Sequence, residues 1–282
     1  MATAARTSNI LVVDDDRTTR HLTRTTLAKA GYAVSVAQDG AEALTRMRGK
    51  KFDLVLLDVW MPRMDGLAVL DRMKRLKTRP RVVVMTSDDA PQTVLKAIRR
   101  HAYQYLHKPV EPAALVSIVR DALKSAPEPP IEVVSARPDW VELVVPCTRE
   151  AADRLHAVMA QLETDLPEEL RESVGYAFRE LLMNAVEWGG KLDPKRTVKI
   201  SYLRAKRMLL YRIADPGQGF SIENLTHSAI NNPDDDPLRH AIVREEKGLR
   251  PGGLGLAITR SLVDELIYNE AHNEVVFVKY LD

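Results

Sequence analysis

The sequence lacks the features of secreted and membrane proteins. Its 282 residues contain one cysteine, Cys147, so no disulfide can form within the chain, as is usual in reducing compartments. No apolar run approaches the roughly 20 residues that a membrane-spanning helix needs. The N-terminal stretch MATAARTSNI has no apolar core of signal-peptide length. We therefore expect a soluble cytoplasmic protein that does not bind membranes.

The sequence also has almost no excess of charge of either sign. Lysine and arginine total 41 and aspartate and glutamate total 39, which gives a net charge of +2 with neutral histidines. Polyanionic partners are attracted by surfaces with a strong positive excess. The charge balance therefore gives no electrostatic reason to expect nucleic acid as a partner, and we predict none.

The sequence does contain enough apolar residues for real hydrophobic cores, with 45% hydrophobic and 28% charged residues. A chain of 282 residues favours two domains. The stretch KSAPEPPIEV holds three prolines and is the strongest linker signal. We predict a first domain over residues 1–125, a linker over 126–131 and a second domain over 132–282.

The first domain alternates apolar, strand-like runs with amphipathic segments. Five such strand–helix units occur, and their strands begin with NILVVDD, YAVSVA, FDLVLLD, RVVVMTS and AYQYLHK. This pattern predicts an α/β fold, with a doubly wound, five-stranded parallel sheet and helices on both faces. The strands are apolar throughout, as expected when both faces are covered.

Polar residues stand at the carboxyl ends of these strands, where open parallel sheets bind ligands. Any one of them could simply close a strand at a polar rim, but the whole set predicts a site. Converging carboxylates repel unless a cation is present, and hard oxygen ligands suit Mg²⁺. A hydroxyl and an ammonium at the same rim suit a phosphoryl group. The residues of this rim are Asp14, Asp15, Asp58, Thr86 and Lys108.

Four motifs in this domain match one family in order: LVVDDD, LLDVWMPRMDG, MTS and YLHKP. On these motifs, residues 8–125 resemble the receiver domain of two-component response regulators. The resemblance implies that Asp58 accepts phosphate from an upstream histidine kinase, and that Thr86 and Lys108 contact the phosphoryl oxygens. It places Tyr105 at the aromatic switch position. The implied Mg²⁺ ligands are Asp15, Asp58, the backbone carbonyl of Trp60 and, through water, Asp14.

The second domain has a different pattern, in which strands and helices are segregated. A hairpin in IEVVSARPDWVELVVP precedes helices over about 149–163 and 167–188. A second hairpin in TVKISYLRAKRMLLYRIAD, a long polar stretch, a helix over about 254–267 and a strand NEVVFVKYL follow. This order predicts a two-layer α+β fold.

The segment FRELLMNAVEWGG combines a buried helical stripe with two polar residues one turn apart, Glu180 and Asn184. This spacing allows both side chains to reach one small ligand. The helix is expected to stop at the glycine pair that ends the segment. The residues of the predicted stripe are Phe178, Leu181, Leu182, Ala185 and Trp188.

Two glycine-rich stretches complete the pattern. In ADPGQGF, Asp215 offers an acceptor for an exocyclic amine, while Gly217 and Gly219 let the backbone approach a ligand closely. In RPGGLGLAI, Gly253 and Gly255 precede a helix whose free N–H groups form an anion site. The stretch is not a Walker A motif, because no Gly-Lys-Ser/Thr follows.

The ordered set E-x-x-x-N, D-x-G-x-G and G-G-L-G-L resembles the ATP-binding (Bergerat) fold of the GHKL superfamily, over roughly residues 132–282. The resemblance implies that Asn184 coordinates Mg²⁺ on the triphosphate and that Asp215 reads the adenine amine. Gly217 and Gly219 would then line the adenine pocket. Gly253 and Gly255 would form the phosphate end of a long polar lid.

Within this superfamily, the domain most resembles the anti-sigma-factor serine kinases. That resemblance implies that Glu180 is the general base for a serine hydroxyl on an anti-sigma-antagonist or sigma-like partner. Trp188 departs from the family, which often has histidine there. His156 lacks the acidic residue and proline that follow the phosphoacceptor of histidine kinases, so we place it on a helix of the ATP domain itself.

Two other functions remain open from the sequence. The second domain could be an ATP-dependent interaction module without turnover, or the ATPase part of a split histidine kinase. Proteins of both domain families often form dimers, so a homodimer is expected. Transfer of labelled γ-phosphate to serine or to histidine on a partner distinguishes these possibilities.

Overall fold

The computed structural model describes residues 7–76, 78–88, 90–124, 129–137, 139–220, 236, 238–246 and 253–281. The chain divides into two compact units, a first unit over residues 1–128 and a second over residues 129–282. Most of the predicted lid lies outside the described residues.

The first unit is built on a five-stranded parallel sheet of order β2-β1-β3-β4-β5, which confirms the predicted α/β fold. Its strands are β1 (Asn9–Val13), β2 (Ala33–Ala37), β3 (Leu54–Asp58), β4 (Arg81–Thr86) and β5 (Gln104–His107). Its helices are α1 (Arg17–Lys29), α2 (Gly40–Gly49), α3 (Gly66–Met73), α4 (Pro91–Arg99) and α5 (Pro112–Lys124).

Aspartates define the starts of three of these helices. The side chains of Asp16, Asp39 and Asp65 accept backbone N–H groups three residues on, at 2.6, 2.8 and 2.6 Å. Such caps satisfy N–H groups that have no partner within the helix. Every residue of β3 is buried, because helices cover both faces of the central strands.

The second unit combines a six-stranded antiparallel sheet of order β10-β11-β9-β8-β7-β6 with helices, which confirms the predicted α+β fold. Its strands are β6 (Glu132–Ala136), β7 (Trp140–Pro146), β8 (Thr197–Ala205), β9 (Met208–Ala214), β10 (Glu265–Tyr268) and β11 (Glu274–Tyr280). Its helices are α6 (Arg149–Gln161), α7 (Glu168–Asn184), a π-helical turn (Ala185–Gly189), α8 (Arg239–Glu246) and α9 (Gly255–Leu262).

The helix predicted over 254–267 is wrong in its second half. Helix α9 ends at Leu262, Val263 is extended, and β10 begins at Glu265. Leu266 pairs with Phe277 of β11 across the antiparallel ladder. The apolar residues after Leu262 therefore stabilise an edge strand, since tertiary pairing overrides a weak local preference for helix.

Trp188 does not lie on the buried stripe, as the helical spacing had predicted, because its side chain is 59% exposed. The cause is the π-helical turn that follows α7, where the N–H of Gly190 donates to the carbonyl of Ala185 at 2.8 Å. A π turn takes one more residue than an α turn, so residues after it lose the earlier phase. The other stripe residues, Phe178, Leu181, Leu182 and Ala185, are buried.

A ring cluster and one buried acid lie in the core of the second unit. Tyr211 contacts Phe178, Tyr202 and Phe277, with ring centroids 4.9, 4.9 and 4.8 Å away. The Tyr211 hydroxyl donates to Glu163, which is 2% exposed. Burial raises the pKa of Glu163 to about 7, because water no longer solvates the carboxylate.

This shift predicts a pH-dependent stability. The ordinary glutamate pKa is 4.5, so the folded unit binds a proton that the unfolded chain has lost between about pH 4.5 and 7. Below pH 4.5 this group makes its full contribution to the free energy of unfolding. That contribution is lost as the pH rises to about 7. Glu163→Gln should flatten that dependence, measured by urea denaturation of the second unit at several pH values.

The matched control is Glu172→Gln, which changes an exposed carboxylate on α7. It should keep the wild-type dependence. An identical slope in wild type and Glu163→Gln between pH 4.5 and 7 would contradict the assignment.

Candidate functional site

The rim of the first unit brings its predicted residues together at the carboxyl ends of the strands. Asp58 ends β3 and Thr86 ends β4, and both are buried. Asp14 follows β1 and is buried, while the neighbouring Asp15 is exposed. Lys108 follows β5, and its backbone N–H donates to the carbonyl of Thr86 at 2.8 Å.

Lys108 bridges the two buried carboxylates of the rim. Its Nζ lies 2.6 Å from Asp14 Oδ2 and 2.7 Å from Asp58 Oδ2. Burial raises the pKa of Asp58, and the hydrogen bond from Lys108 only partly offsets this. Burial would lower the pKa of Lys108, but its two carboxylate partners raise it on balance, so the lysine stays charged.

The same carboxylates fit a divalent cation. One oxygen from each of Asp14, Asp15 and Asp58 can be chosen so that all lie within 4.8 Å of one another. A single Mg²⁺ takes oxygen ligands and keeps several waters, which suits a site with one exposed side. The backbone N–H of Trp60 donates to Asp58 Oδ1 at 3.3 Å, so Trp60 is held at this site. The predicted role of its carbonyl stays a prediction.

Asp88 links the rim to the β4–α4 loop, and sequence reasoning missed it. Its N–H donates to the Thr86 hydroxyl at 3.2 Å, and its carboxylate accepts the Trp60 indole N–H at 3.2 Å. Its carbonyl accepts the hydroxyl of the buried Tyr105 at 2.6 Å. Trp60 remains 58% exposed, although its indole N–H is bonded to Asp88.

In the second unit, Glu180 of α7 lies against the start of α9. A Cβ atom on Gly255 would stand 2.1 Å from Glu180 Oε2, so the carboxylate lies directly against this glycine. Gly253, just before α9, has a φ of 99°, a conformation that favours glycine. The predicted helix motif and the predicted anion site therefore meet, although 75 residues separate Glu180 and Gly255 (255 − 180).

Asp215 lies where β9 ends, against the glycine that ends the π-helical turn. A Cβ atom on Gly189 would stand 2.1 Å from Asp215 Oδ1, so the carboxylate occupies the space that a side chain would fill. The N–H of Gly217 donates to the same oxygen at 2.7 Å. Burial raises the pKa of Asp215 despite this hydrogen bond.

The remaining predicted residues, Asn184 and Gly219, lie close in sequence to Glu180 and Asp215. Asn184 is the last residue of α7, one turn after Glu180, and is partly buried. Within the described ranges its side chain forms no hydrogen bond. Gly219 has a φ of 80°, and a Cβ atom there would stand 1.5 Å from the carbonyl oxygen of Ala271.

Three residues of this site were not predicted as functional. Gly189 was interpreted only as a helix stop, while Ala271 and Asn273 belong to no recognisable motif.

His156 lies on α6, partly buried, with Nε2 3.1 Å from the carbonyl of Gly175 on α7. This contact places His156 between α6 and α7, and burial there lowers its pKa.

The polar groups at this site of the second unit fit an adenine nucleotide. Asp215 supplies an acceptor at a glycine-lined approach, and α9 begins directly after a glycine turn, as a phosphate-binding helix does. The side-chain oxygen of Asn184 is of the kind that divalent cations take as a ligand. In the described part of the chain, no helix is both long and apolar enough to span a membrane.

Comparisons with known families agree with both units. Residues 10–120 match the model of the response regulator receiver domain, and residues 146–279 match that of the histidine kinase-like ATPase domain. Among solved structures, Vibrio cholerae CheY4 has 29% identity, a TM-score of 0.40, and coverage of 42% of this chain and all of its own. The receiver domain of NtrX from Brucella abortus has 34% identity, a TM-score of 0.40, and coverage of 42% and 99%.

Curated relatives are named as response regulators or as transcriptional regulators. MtrA of Mycobacterium leprae, named as DNA-binding, is 33% identical over 202 residues, which cover 70% of this chain and 88% of MtrA. NtrC of Azospirillum brasilense, named as a DNA-binding transcriptional regulator, is 31% identical over 72% of this chain and 42% of its own length. ZraR of Salmonella typhimurium is 38% identical over 45% of this chain and 29% of its own.

DNA binding is stated in the names of MtrA and NtrC and is a property of those proteins. The expectation that this chain binds no nucleic acid gains no support from them and stays a prediction. The coverage of MtrA and the two family models decide the classification. The chain belongs to the response regulators, and it carries a receiver domain followed by a histidine kinase-like ATPase domain.

Proposed function

We propose that a histidine kinase phosphorylates Asp58 and thereby controls the second unit, which acts as an ATP-dependent serine/threonine kinase of the anti-sigma type. The observation that carries the kinase assignment is the contact of Glu180 with Gly255. It brings a carboxylate that can accept a proton to the glycine turn that can hold phosphates.

In the receiver, the arrangement supports phosphoryl transfer to a carboxylate. An Asp58 oxygen attacks the phosphorus of a phosphohistidine, the P–N bond breaks, and an acyl phosphate forms on Asp58. Lys108, already 2.7 Å from Asp58 Oδ2, is placed to neutralise the added charge. Asp14, Asp15 and Asp58 would hold Mg²⁺, which supplies further neutralisation of the phosphoryl oxygens.

In the second unit, binding and chemistry fall to different residues. The Asp215 carboxylate accepts a hydrogen bond from the adenine amine. Asn184 would hold Mg²⁺ on the triphosphate. The turn containing Gly253 and Gly255 binds the phosphates. Bound Mg²⁺ supplies neutralisation of the phosphate charge. These residues bind and orient ATP, since correct placement of the reacting groups removes much of the barrier.

Glu180 is then the general base. It accepts the proton of a serine hydroxyl on the partner as the hydroxyl oxygen bonds to the γ-phosphorus, and the bond to ADP breaks. We infer an anti-sigma-antagonist or sigma-like protein as the partner, because the ordered motifs most resemble the anti-sigma serine kinases. Both kinase and partner are proposed to be cytoplasmic.

The receiver assignment predicts loss of labelling at one residue. Asp58→Ala should take up no phosphate from a small phosphodonor in the presence of Mg²⁺, because the attacking oxygen is gone. The exposed α5 residue Asp121 provides the control, and Asp121→Asn should label as wild type does. Undiminished incorporation of phosphate into Asp58→Ala, measured by intact mass, would contradict the assignment.

The nucleotide site predicts two binding defects. Asn184→Ala should lose Mg²⁺-dependent ATP binding, because the cation loses a protein ligand. Asp215→Asn should lose preference for ATP over nucleotides without the adenine amine, since an unpaired hydrogen-bonding site rejects its ligand. Isothermal calorimetry measures both, and wild-type affinity in the two variants would refute the pocket.

The base assignment predicts that binding and catalysis separate. Glu180→Gln should reduce phosphotransfer to the partner by roughly 100- to 10,000-fold, as loss of a positioned base does. ATP affinity should stay within a few-fold, because the substitution removes a negative charge near the triphosphate. Glu172→Gln, an exposed change on the same helix, should leave transfer unchanged.

The two rival functions give different outcomes in that assay. An interaction module without turnover would show no transfer in wild type, so Glu180→Gln would have nothing to lose. The ATPase part of a split histidine kinase would give acid-labile phosphohistidine on its partner. Transfer to serine at the wild-type rate by Glu180→Gln would remove Glu180 from the mechanism.

A further inference from the structure

The turn between β10 and β11, residues 269–273, is fixed by its own side chains. We call it the hairpin turn. Asn269 Oδ1 accepts the backbone N–H groups of Asn273 and Glu274, each at 3.1 Å, and Asn269 Nδ2 donates to Asn273 Oδ1 at 2.8 Å. Because Asn273 Oδ1 accepts this hydrogen bond from Asn269, the orientation of the Asn273 amide is defined, and its Nδ2 donates to a different group.

That amide is directed at the loop that carries Asp215. We call residues 215–220 the base loop. Asn273 Nδ2 donates to the carbonyl of Gly217 at 3.0 Å, and the carbonyl of Asn273 accepts the N–H of Asp215 at 2.9 Å. One residue of the hairpin turn therefore binds the base loop through its main chain and its side chain.

Further contacts hold the far end of the base loop on the same turn. The N–H of Phe220 donates to the carbonyl of Ala271 at 3.2 Å, and Gly219 lies against that carbonyl. The Phe220 ring packs on Tyr268 and His272, with centroids 5.7 and 5.4 Å away. The base loop is thus bound to the hairpin turn at both of its ends.

The hydrogen bonds form a continuous chain from the turn to the carboxylate. Asn273 holds the carbonyl of Gly217, and the N–H of Gly217 holds Asp215 Oδ1 at 2.7 Å. Gly217 has no side chain that could fix the loop by packing, so its two backbone bonds set its orientation. A change at Asn273 can therefore reach the Asp215 carboxylate through Gly217.

We propose that Asn273 is a positioning residue for recognition of the nucleotide base, acting on Asp215 through Gly217. This inference rests on the proposed role of Asp215 as the acceptor of the adenine amine. Hydrogen-bonded recognition depends steeply on distance and angle, so a misplaced carboxylate loses selectivity before it loses phosphate binding. The expected defect is therefore specific to the base.

The test compares ATP with inosine triphosphate, which has an oxygen in place of the adenine amine, by calorimetry on the full-length protein. Wild type should prefer ATP. Asn273→Asp replaces the donor with a carboxylate facing the Gly217 carbonyl, and should weaken ATP binding by roughly 10-fold, as loss of a hydrogen bond does. Binding of inosine triphosphate should hardly change, so the selectivity ratio falls.

Glu270→Gln is the matched control, because Glu270 is an exposed residue of the same turn. It should keep the wild-type ratio. Asn273→Ala, a smaller change, gives the same comparison if Asn273→Asp fails to fold. A purely structural role would weaken both nucleotides equally, and that result overturns the inference, as does an unchanged ratio.

The wild-type measurement separates this inference from the function on which it rests. If wild type binds neither nucleotide, the proposed ATP site and the role of Asn273 both fall. If wild type prefers ATP and the Asn273 variants keep that preference, only the role of Asn273 falls.

Discussion

The second unit depends on one close approach, that of the Asp215 carboxylate to Gly189. A side chain at residue 189 would occupy the position of Asp215 Oδ1, so helix and strand could not meet as they do. The π-helical turn delivers this glycine to the strand end, and it also turns Trp188 outward. The helix with Glu180 and Asn184 and the loop with Asp215 are thereby fixed relative to each other. The geometry of the proposed nucleotide site follows from this close packing.

Both units place a partly or fully buried aspartate at the end of a strand, yet they stabilise it differently. Burial raises the pKa of both Asp58 and Asp215. Lys108 brings a full positive charge into hydrogen-bond contact with Asp58, whereas the hydrogen bond to Asp215 comes from the neutral N–H of Gly217 and Arg196 acts on Asp215 only through its charge. A charged partner favours an ionised nucleophile, and a neutral donor suits an acceptor that must recognise a hydrogen-bonding edge. The difference in compensation matches the difference in proposed task.

The sequence allowed prediction of those parts of the structure that local patterns determine. Runs of apolar residues ended by Asp14, Asp58 and Thr86 predicted both the parallel sheet and its polar rim, because parallel strands end at one edge. It did not allow prediction of the π-helical turn or the strand after α9, since these arise from contacts with distant segments. Asp88, Gly189 and Asn273 were missed for the same reason. Each acts through a hydrogen bond or a close approach to a segment that no motif identifies.

The place of β11 in the sheet has a consequence for how the second unit is made. It inserts between β9 and β10, although β9 comes about 60 residues earlier in the chain (274 − 214). Chains emerge from the ribosome N-terminus first, so β9 and the base loop are synthesised before the strand and turn that hold them. Until Asn273 arrives, one edge of β9 is unpaired and the base loop lacks its support. The support of the base loop at the proposed nucleotide site is therefore complete only after the hairpin turn has been synthesised, and a chain truncated before that turn would lack it.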